Sequence, residues 1–176
     1  MDDAINAPLA RHTTLRIGGE ANRLCHPHTK DELVELVDQC NSKGEPWFIL
    51  GGGSNLLISS EGFKGTVIRT TNLLEITNPE PGILVASAGA RLPHIAKFAA
   101  SLGLSGLEFA VGIPGTVGGG VIMNCGAHGS SLPLRSTTNN TCSNRRSQPR
   151  SGAFSQVAVR PSVLGWALPR DGLSAA

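Results

Sequence analysis

The chain has 176 residues, of which 40% are hydrophobic and 16% are charged, and its net charge is +2. This length suits one domain or two small subdomains with a real hydrophobic core. No apolar run reaches the roughly 18 to 20 residues that a membrane-crossing helix needs, and the acidic start is unlike a secretory leader. We therefore expect a cytoplasmic, monomeric protein that contacts no membrane.

The charge is divided unevenly along the chain. Residues 1–129 hold nine Lys and Arg against twelve Asp and Glu, a balance of −3, whereas residues 130–176 hold six Arg against Asp171, a balance of +5. The basic end has no lysine and few aromatic side chains for stacking on bases, so we expect no nucleic-acid partner. Its Ser, Arg and Pro content predicts a disordered tail, unrelated to the preceding residues.

The metal-binding residue types are scattered. His26 and His28 stand two residues apart with no third ligand near them in sequence, whereas a catalytic zinc site has three protein ligands. The cysteines form no CxxC pair, which argues against a zinc site and a disulfide framework; they are Cys25, Cys40, Cys125 and Cys142. We expect no metal site.

The first half of the chain predicts strands around one helix. A strand is predicted at residues 21–26, and the capping-box pattern from Thr29 to Glu32 predicts a helix that ends at Gly44. Residues 47–50 and 56–58 are apolar runs that predict two buried strands. The expected apolar face of the helix consists of Leu33, Val34, Leu36 and Val37.

Three more strands are predicted at residues 66–70, 73–76 and 83–87, with a turn at 78–82 between the last two. Pro93 fits the first turn of a helix that runs to about Leu102 and stops at Gly103. Its expected buried face consists of Ile95, Ala96, Ala99 and Leu102. The order of elements predicts an α+β protein with subdomains at about residues 1–78 and 79–129.

Residues 51–55, the first glycine loop, read GGGSN directly after a predicted strand. Successive unhindered N–H groups form a concave donor surface that suits the oxygens of a phosphate or diphosphate, and Ser54 and Asn55 add side-chain donors. The spacing fits neither the GxGxxG fingerprint nor a P-loop. A plain turn between two strands is the alternative interpretation of this loop.

Residues 112–129, the second glycine segment, hold seven glycines in eighteen residues and no Asp, Glu, Lys or Arg. Glycine lacks the Cβ that keeps a ligand away from the backbone, so this density indicates close approach to a cofactor. Residues 112–116 predict a stiff turn, and residues 117–124 are compatible with a short helix or a strand. The two glycine-rich regions together predict a dinucleotide site.

Five motifs in order resemble the UDP-N-acetylenolpyruvoylglucosamine reductase (MurB) family, over about residues 6–129. They are TLRIGG at 14–19, ILGGGSNLL at 49–57, GLEF at 106–109, GIPGTVGG at 112–119, and Met123-Asn124 with Gly126-Ala127. The resemblance implies an FAD-binding domain of the vanillyl-alcohol oxidase and p-cresol methylhydroxylase type, in which two α/β subdomains grip the flavin.

The resemblance also implies roles for particular residues. The cofactor-binding positions carried over from the family are Gly51, Gly52, Gly53, Ser54 and Asn55 for the FAD diphosphate, Ile113, Pro114, Gly115, Thr116, Val117, Gly118 and Gly119 for the adenosine and diphosphate region, and Asn124, Gly126 and Ala127 near the flavin. The implied reaction is NADPH-linked reduction of the enolpyruvyl group of a UDP-sugar, which gives UDP-N-acetylmuramate for peptidoglycan synthesis.

No catalytic residue is assigned, because the family's catalytic arginine lies in a Tyr-Arg segment and this sequence has no tyrosine. The family's catalytic serine and glutamate also lie beyond the matched region. We expect residues from about 130 to be an out-of-frame or unrelated continuation. Two alternatives stay open: a flavin-binding fragment without catalysis, and another flavin oxidoreductase of the same superfamily.

Overall fold

The structure, a computed structural model, describes residues 2–132, 141–142 and 156–159. The strands are β1 (Asp2–Pro8), β2 (Glu20–His26), β3 (Trp47–Leu50), β4 (Phe63–Arg69), β5 (Ile76–Glu80), β6 (Ile83–Ala86), β7 (Gly126–Ala127), β8 (Ser130–Ser131), β9 (Thr141–Cys142) and β10 (Gln156–Val159). The helices are α1 (Lys30–Lys43), α2 (Leu92–Ser101) and α3 (Val117–Ile122). No helix in this described part is long and apolar enough to cross a bilayer.

The first sheet has the strand order β1-β2-β4-β3, in which β2, β4 and β3 run parallel and β1 is antiparallel at the edge. Strand β4 is buried on both faces, because Val67 packs in one apolar cluster and Ile68 in another. Four successive residues of this strand, at 65–68, are buried, as is typical of a parallel strand that is covered on both sides. Parallel pairing brings the carboxyl ends of β2, β3 and β4 to one edge.

Helix α1 begins at the predicted capping box. The Thr29 hydroxyl accepts a hydrogen bond from the Glu32 N–H at 3.2 Å, and the Glu32 carboxylate accepts one from the His28 N–H at 2.7 Å. Gly44 ends the helix in the left-handed conformation, with φ 63°. The buried face consists of Leu33, Leu36, Val37 and Cys40. The prediction was wrong for Val34, which is only half-buried because it lies beside that face.

The second sheet has the order β5-β6-β10-β9, and β10 pairs parallel with β6. Helix α2 packs beside it, in a cluster that includes Leu84, Ile95, Phe109 and Val117. The prediction that Leu102 belongs to the buried face was wrong: α2 ends at Ser101, and Leu102 is 44% exposed. The mixed sheets and helices confirm the α+β class.

Two predicted strands were wrong. Residues 56–58 are irregular. The next residue, Ser59, pairs with no strand, and its carbonyl accepts a hydrogen bond from the Gly19 N–H at 2.8 Å. The predicted strand at 73–76 contributes only Ile76, since a 3₁₀ turn at Thr70–Asn72 precedes an irregular stretch.

The turn between β5 and β6 is shorter than predicted. Asn78 and Pro79 lie within β5, and the turn occupies residues 81–82, with Gly82 at φ 82°. The Asn78 side-chain amide donates to the Glu80 and Ile83 carbonyls at 2.8 and 2.7 Å. Strand β5 is at the edge of its sheet, where a proline costs no ladder hydrogen bond, so Pro79 does not interrupt it.

The expected tail, residues 130–176, lies mostly outside the described residues. The sequence pattern predicted no strand there, yet β9 and β10 both fall within it, as does the short strand β8. The expected subdomain division near residue 78 stays a prediction.

Candidate functional site

The first glycine loop begins where β3 ends, at the carboxyl edge of the first sheet. Gly53 is buried in the left-handed conformation, with φ 67°, and a Cβ at this position would collide with the carbonyl oxygen of His12. The Thr14 N–H donates to the Gly53 carbonyl at 2.9 Å. Residues 12–14 therefore fix the shape of the loop, and the loop needs glycine at position 53.

The loop holds backbone N–H donors that have no acceptor among the described residues. Among the hydrogen bonds of residues 2–132, none takes the N–H groups of Gly52, Gly53, Ser54 or Asn55. Gly53 is buried and Ser54 is half-buried, whereas Gly52 and Asn55 are exposed. Because nearly all buried backbone N–H groups in proteins have an acceptor, the unused N–H of Gly53 needs a ligand or water to complete it, and its neighbours add further donors beside it. This arrangement fits an anion with several oxygens.

The two glycine-rich regions meet in the structure. The Ser54 hydroxyl donates to the Pro114 carbonyl at 2.9 Å. A Cβ added at Gly51 would lie 2.5 Å from the Thr116 hydroxyl oxygen, whereas one at Gly52 would make an ordinary 3.6 Å contact with the Cα of Gly115. The site residues at 51–54 and 114–116, which are far apart in sequence, thus form one continuous surface.

Most of the N–H groups at the start of α3 are already bonded. The Val117 N–H donates to the Ala90 carbonyl at 2.7 Å, and the Gly118 N–H to the Ala88 carbonyl at 2.9 Å. The Thr116 hydroxyl accepts from the Gly119 N–H at 3.4 Å and so caps this short helix. These donors hold α3 against the 88–90 loop, and the residues of this segment that contact the first glycine loop are Pro114, Gly115 and Thr116. Ile113 packs instead against the apolar cluster that contains Leu84.

The remaining predicted site residues lie at the far end of α3. Asn124 is exposed with φ 45°, a left-handed conformation that asparagine adopts more readily than most residues. Gly126 and Ala127 form β7 and pair with Ser131 and Ser130 of β8. The Cys125 N–H donates to the Gly120 carbonyl at 2.8 Å. Among residues 2–132, the hydrogen bonds of this segment therefore lead to α3 and β8.

Sequence reasoning missed a group of basic side chains beside the first glycine loop. Arg69 ends β4 opposite Leu50, the residue before Gly51, and His26 ends the neighbouring strand β2. The His12 and His26 rings pack edge to face, with 5.9 Å between their centroids. The signal that could have found them is their position at the ends of parallel strands. We call Arg69, His12 and His26 the basic cluster.

Comparison with known proteins identifies the fold. A family model described as an FAD binding domain matches residues 21–141, which is more than half of the chain. The chain belongs to the FAD-binding domain family.

Relatives of this FAD-binding domain are UDP-N-acetylenolpyruvoylglucosamine reductases. The enzyme of Caldanaerobacter subterraneus subsp. tengcongensis is 44% identical over 128 residues, and that of a Synechococcus species is 48% identical over 125 residues. These matches cover 73% and 71% of the chain but only 42% and 40% of the relatives. The chain therefore spans about two fifths of the length of the curated relatives that it matches.

A solved structure is also similar. The crystal structure of UDP-N-acetylenolpyruvylglucosamine reductase (MurB) from Thermus caldophilus matches with a TM-score of 0.53 and 35% sequence identity. The match covers 74% of this chain and 44% of that chain. The sequence resemblance to the MurB family is confirmed.

Within the described residues, no group of three or more His, Cys, Asp or Glu side chains could hold a metal ion.

Proposed function

We propose that this FAD-binding domain holds FAD with the cofactor's diphosphate on the first glycine loop. The observation that carries the proposal is the set of unused N–H groups at Gly52, Gly53, Ser54 and Asn55, because a diphosphate offers several acceptor oxygens to one concave donor surface. The loop contains no cation of its own, so its backbone dipoles and the neighbouring basic cluster offset the charge. The protein's residues thus fit the cofactor.

The second half of the grip consists of Ile113, Pro114, Gly115 and Thr116. The Ser54 hydrogen bond to Pro114 sets the separation of the two regions, and Thr116 is buried behind them. We propose that this surface lines the adenosine side of the cofactor and that Asn124, Gly126 and Ala127 lie toward the flavin. Val117, Gly118 and Gly119 support the site by holding α3 to the 88–90 loop.

We further propose that the chain is the flavin-binding part of a UDP-N-acetylenolpyruvoylglucosamine reductase, which uses NADPH and a UDP-sugar in the cytoplasm as a monomer. The support is the identity of 44 and 48% to relatives of that name. When bound, FAD supplies the hydride chemistry, while the protein supplies binding and orientation. The residues described above act by holding the diphosphate and fixing the loop geometry.

A second candidate function is flavin binding without reductase activity. The resemblance places the catalytic arginine in a Tyr-Arg segment, and the sequence contains no tyrosine. The described site likewise assigns no side chain to proton donation. This candidate shares the FAD site and differs only in the catalytic groups.

A two-step experiment separates these candidates. The chain is loaded with FAD, desalted and mixed with NADPH under anaerobic conditions, and the flavin absorbance is recorded before the UDP-sugar substrate is added. Bleaching followed by formation of UDP-N-acetylmuramate supports the reductase. Stable flavin absorbance without product supports the second candidate, and loss of all flavin on desalting contradicts both.

A further inference from the structure

The basic cluster lies at the carboxyl edge of the first sheet. Arg69 pairs with Leu50, which directly precedes the first glycine loop. Parallel pairing of Cys25 with Ile68 puts the next residues, His26 and Arg69, at neighbouring strand ends. His12 lies at the end of a 3₁₀ turn, and its carbonyl oxygen lies against Gly53. The loop and the cluster therefore share backbone contacts and belong to one edge of the fold.

Arg69 has no partner among the described residues. Its Nε atom is buried and makes no hydrogen bond. Burial lowers the pKa of Arg69 from its usual value, and no carboxylate opposes this effect. Of the two acidic residues near the end of β2, Asp3 pairs with Arg23 at 2.5 Å, and a carboxylate oxygen of Asp2 lies 3.2 Å from His28 Nε2. A half-buried guanidinium without an anion is costly and calls for one.

We propose that Arg69, flanked by His12 and His26, binds a phosphate group, and that this phosphate belongs to the dinucleotide held by the first glycine loop. This inference rests on the proposed function. The guanidinium supplies the fixed positive charge and the fork of donors that match phosphate oxygens, which the glycine loop lacks. The two imidazoles flank that charge and become further donors when protonated.

The histidines make binding depend on pH. Burial lowers the pKa of His12, and Arg69, His26 and Arg11 lower it further. Burial and Arg69 also lower the pKa of His26; His28 acts in the same direction, while Asp2 and Asp3 oppose it. Both rings are therefore neutral near pH 7. A bound anion favours their protonated forms, so binding takes up protons and FAD affinity increases as pH falls.

The decisive experiment compares FAD and riboflavin, which lacks phosphate, by fluorescence titration of the full chain. Arg69→Met is expected to weaken FAD binding about 10- to 100-fold, as expected for loss of a charge-assisted contact, and to leave riboflavin binding unchanged. Lys64→Gln removes an exposed charge from the same strand and serves as the matched control, with FAD binding unchanged. Equal FAD affinity in Arg69→Met and in the unsubstituted chain overturns the assignment.

Stability measurements distinguish a binding role from a structural one. Because the Arg69 side chain has no partner among the described residues, Arg69→Met is expected to unfold at the same or a higher denaturant concentration. A destabilised variant contradicts the proposal. If the unsubstituted chain does not bind FAD, the proposed function fails as well. If inorganic phosphate then raises its melting temperature only when Arg69 is present, the site binds free phosphate and the dinucleotide assignment is wrong.

The pH arm tests the histidines separately. FAD affinity of the unsubstituted chain is expected to increase about tenfold between pH 8 and pH 5.5. The double variant His12→Gln with His26→Gln is expected to lose most of this dependence, whereas His94→Gln, an exposed site on α2, keeps it. The same pH dependence in both variants contradicts the role of the cluster histidines.

Discussion

At the scale of single residues, Gly53 determines the shape of the first glycine loop. It combines a left-handed backbone with φ 67° and direct contact with the His12 backbone, so two separate constraints require glycine there. Gly44 at the end of α1 has a similar φ of 63°, but a Cβ there would meet nothing within 4 Å. The two positions therefore separate the cost of backbone strain from the cost of the collision.

Gly53→Ala is expected to destabilise the fold by about 3 kcal/mol or more, because the strain is joined by a collision between rigid backbone atoms. Gly44→Ala is expected to cost only about 1 kcal/mol, which is the strain alone. Chemical unfolding followed by circular dichroism measures both. Equal losses in the two variants would mean that the His12 contact places no demand on the loop.

At the scale of elements, α1 shows what local sequence can predict. Its start at Thr29 and its end at Gly44 follow from side-chain and backbone chemistry within a few residues, and both predictions are confirmed. Pro79 and Leu57 show where local sequence fails to predict secondary structure. Whether a proline interrupts a strand depends on its place in the sheet, and Leu57 is 70% exposed in a segment that makes no strand pairing, although its apolar neighbours suggested a strand.

Thr29→Ala is expected to lower the free energy of unfolding by about 1 kcal/mol, because the Glu32 N–H loses its acceptor at the helix start. Ser42→Ala is the control in the same helix. The Ser42 hydroxyl donates only to the Asp38 carbonyl within the helix, so its loss is expected to change stability by less than about 0.5 kcal/mol. Identical stability of Thr29→Ala and the unsubstituted chain would contradict the capping role.

The candidate site was predictable to the extent that its chemistry is local. Glycine density identified both regions of the site, and the order of their motifs matched a known family. The sequence could not show that Val117 and Gly118 already use their N–H groups, because their acceptors belong to the 88–90 loop. Nor could it show the basic cluster, since His12, His26 and Arg69 meet only through strand pairing and a turn.

At the scale of the whole molecule, the two glycine-rich regions belong to two parts of the chain with separate apolar clusters, and the Ser54–Pro114 hydrogen bond connects them. One apolar cluster comprises residues from Leu84 to Leu132, and two others lie between Ala7 and Leu73. The Ser87 N–H donates to the Glu75 carbonyl at 2.8 Å, and Gly89 lies against the Thr70 carbonyl. A ligand that contacts both glycine-rich regions would therefore contact both parts of the chain at once, and its binding would raise the stability of the folded state.

The central claim is that the first glycine loop binds FAD through its backbone, and a titration of three proteins tests it most directly. FAD is added to the unsubstituted chain, to Gly52→Ala and to Gly112→Ala, with affinity measured by calorimetry. A Cβ at Gly52 makes only an ordinary contact and one at Gly112 meets nothing, so both variants are expected to fold.

We expect one FAD bound per chain, affinity about tenfold weaker in Gly52→Ala because its methyl group lies among the loop donors, and no change in Gly112→Ala. Absence of FAD binding by the unsubstituted chain, or equal affinity in all three proteins, would contradict the central claim.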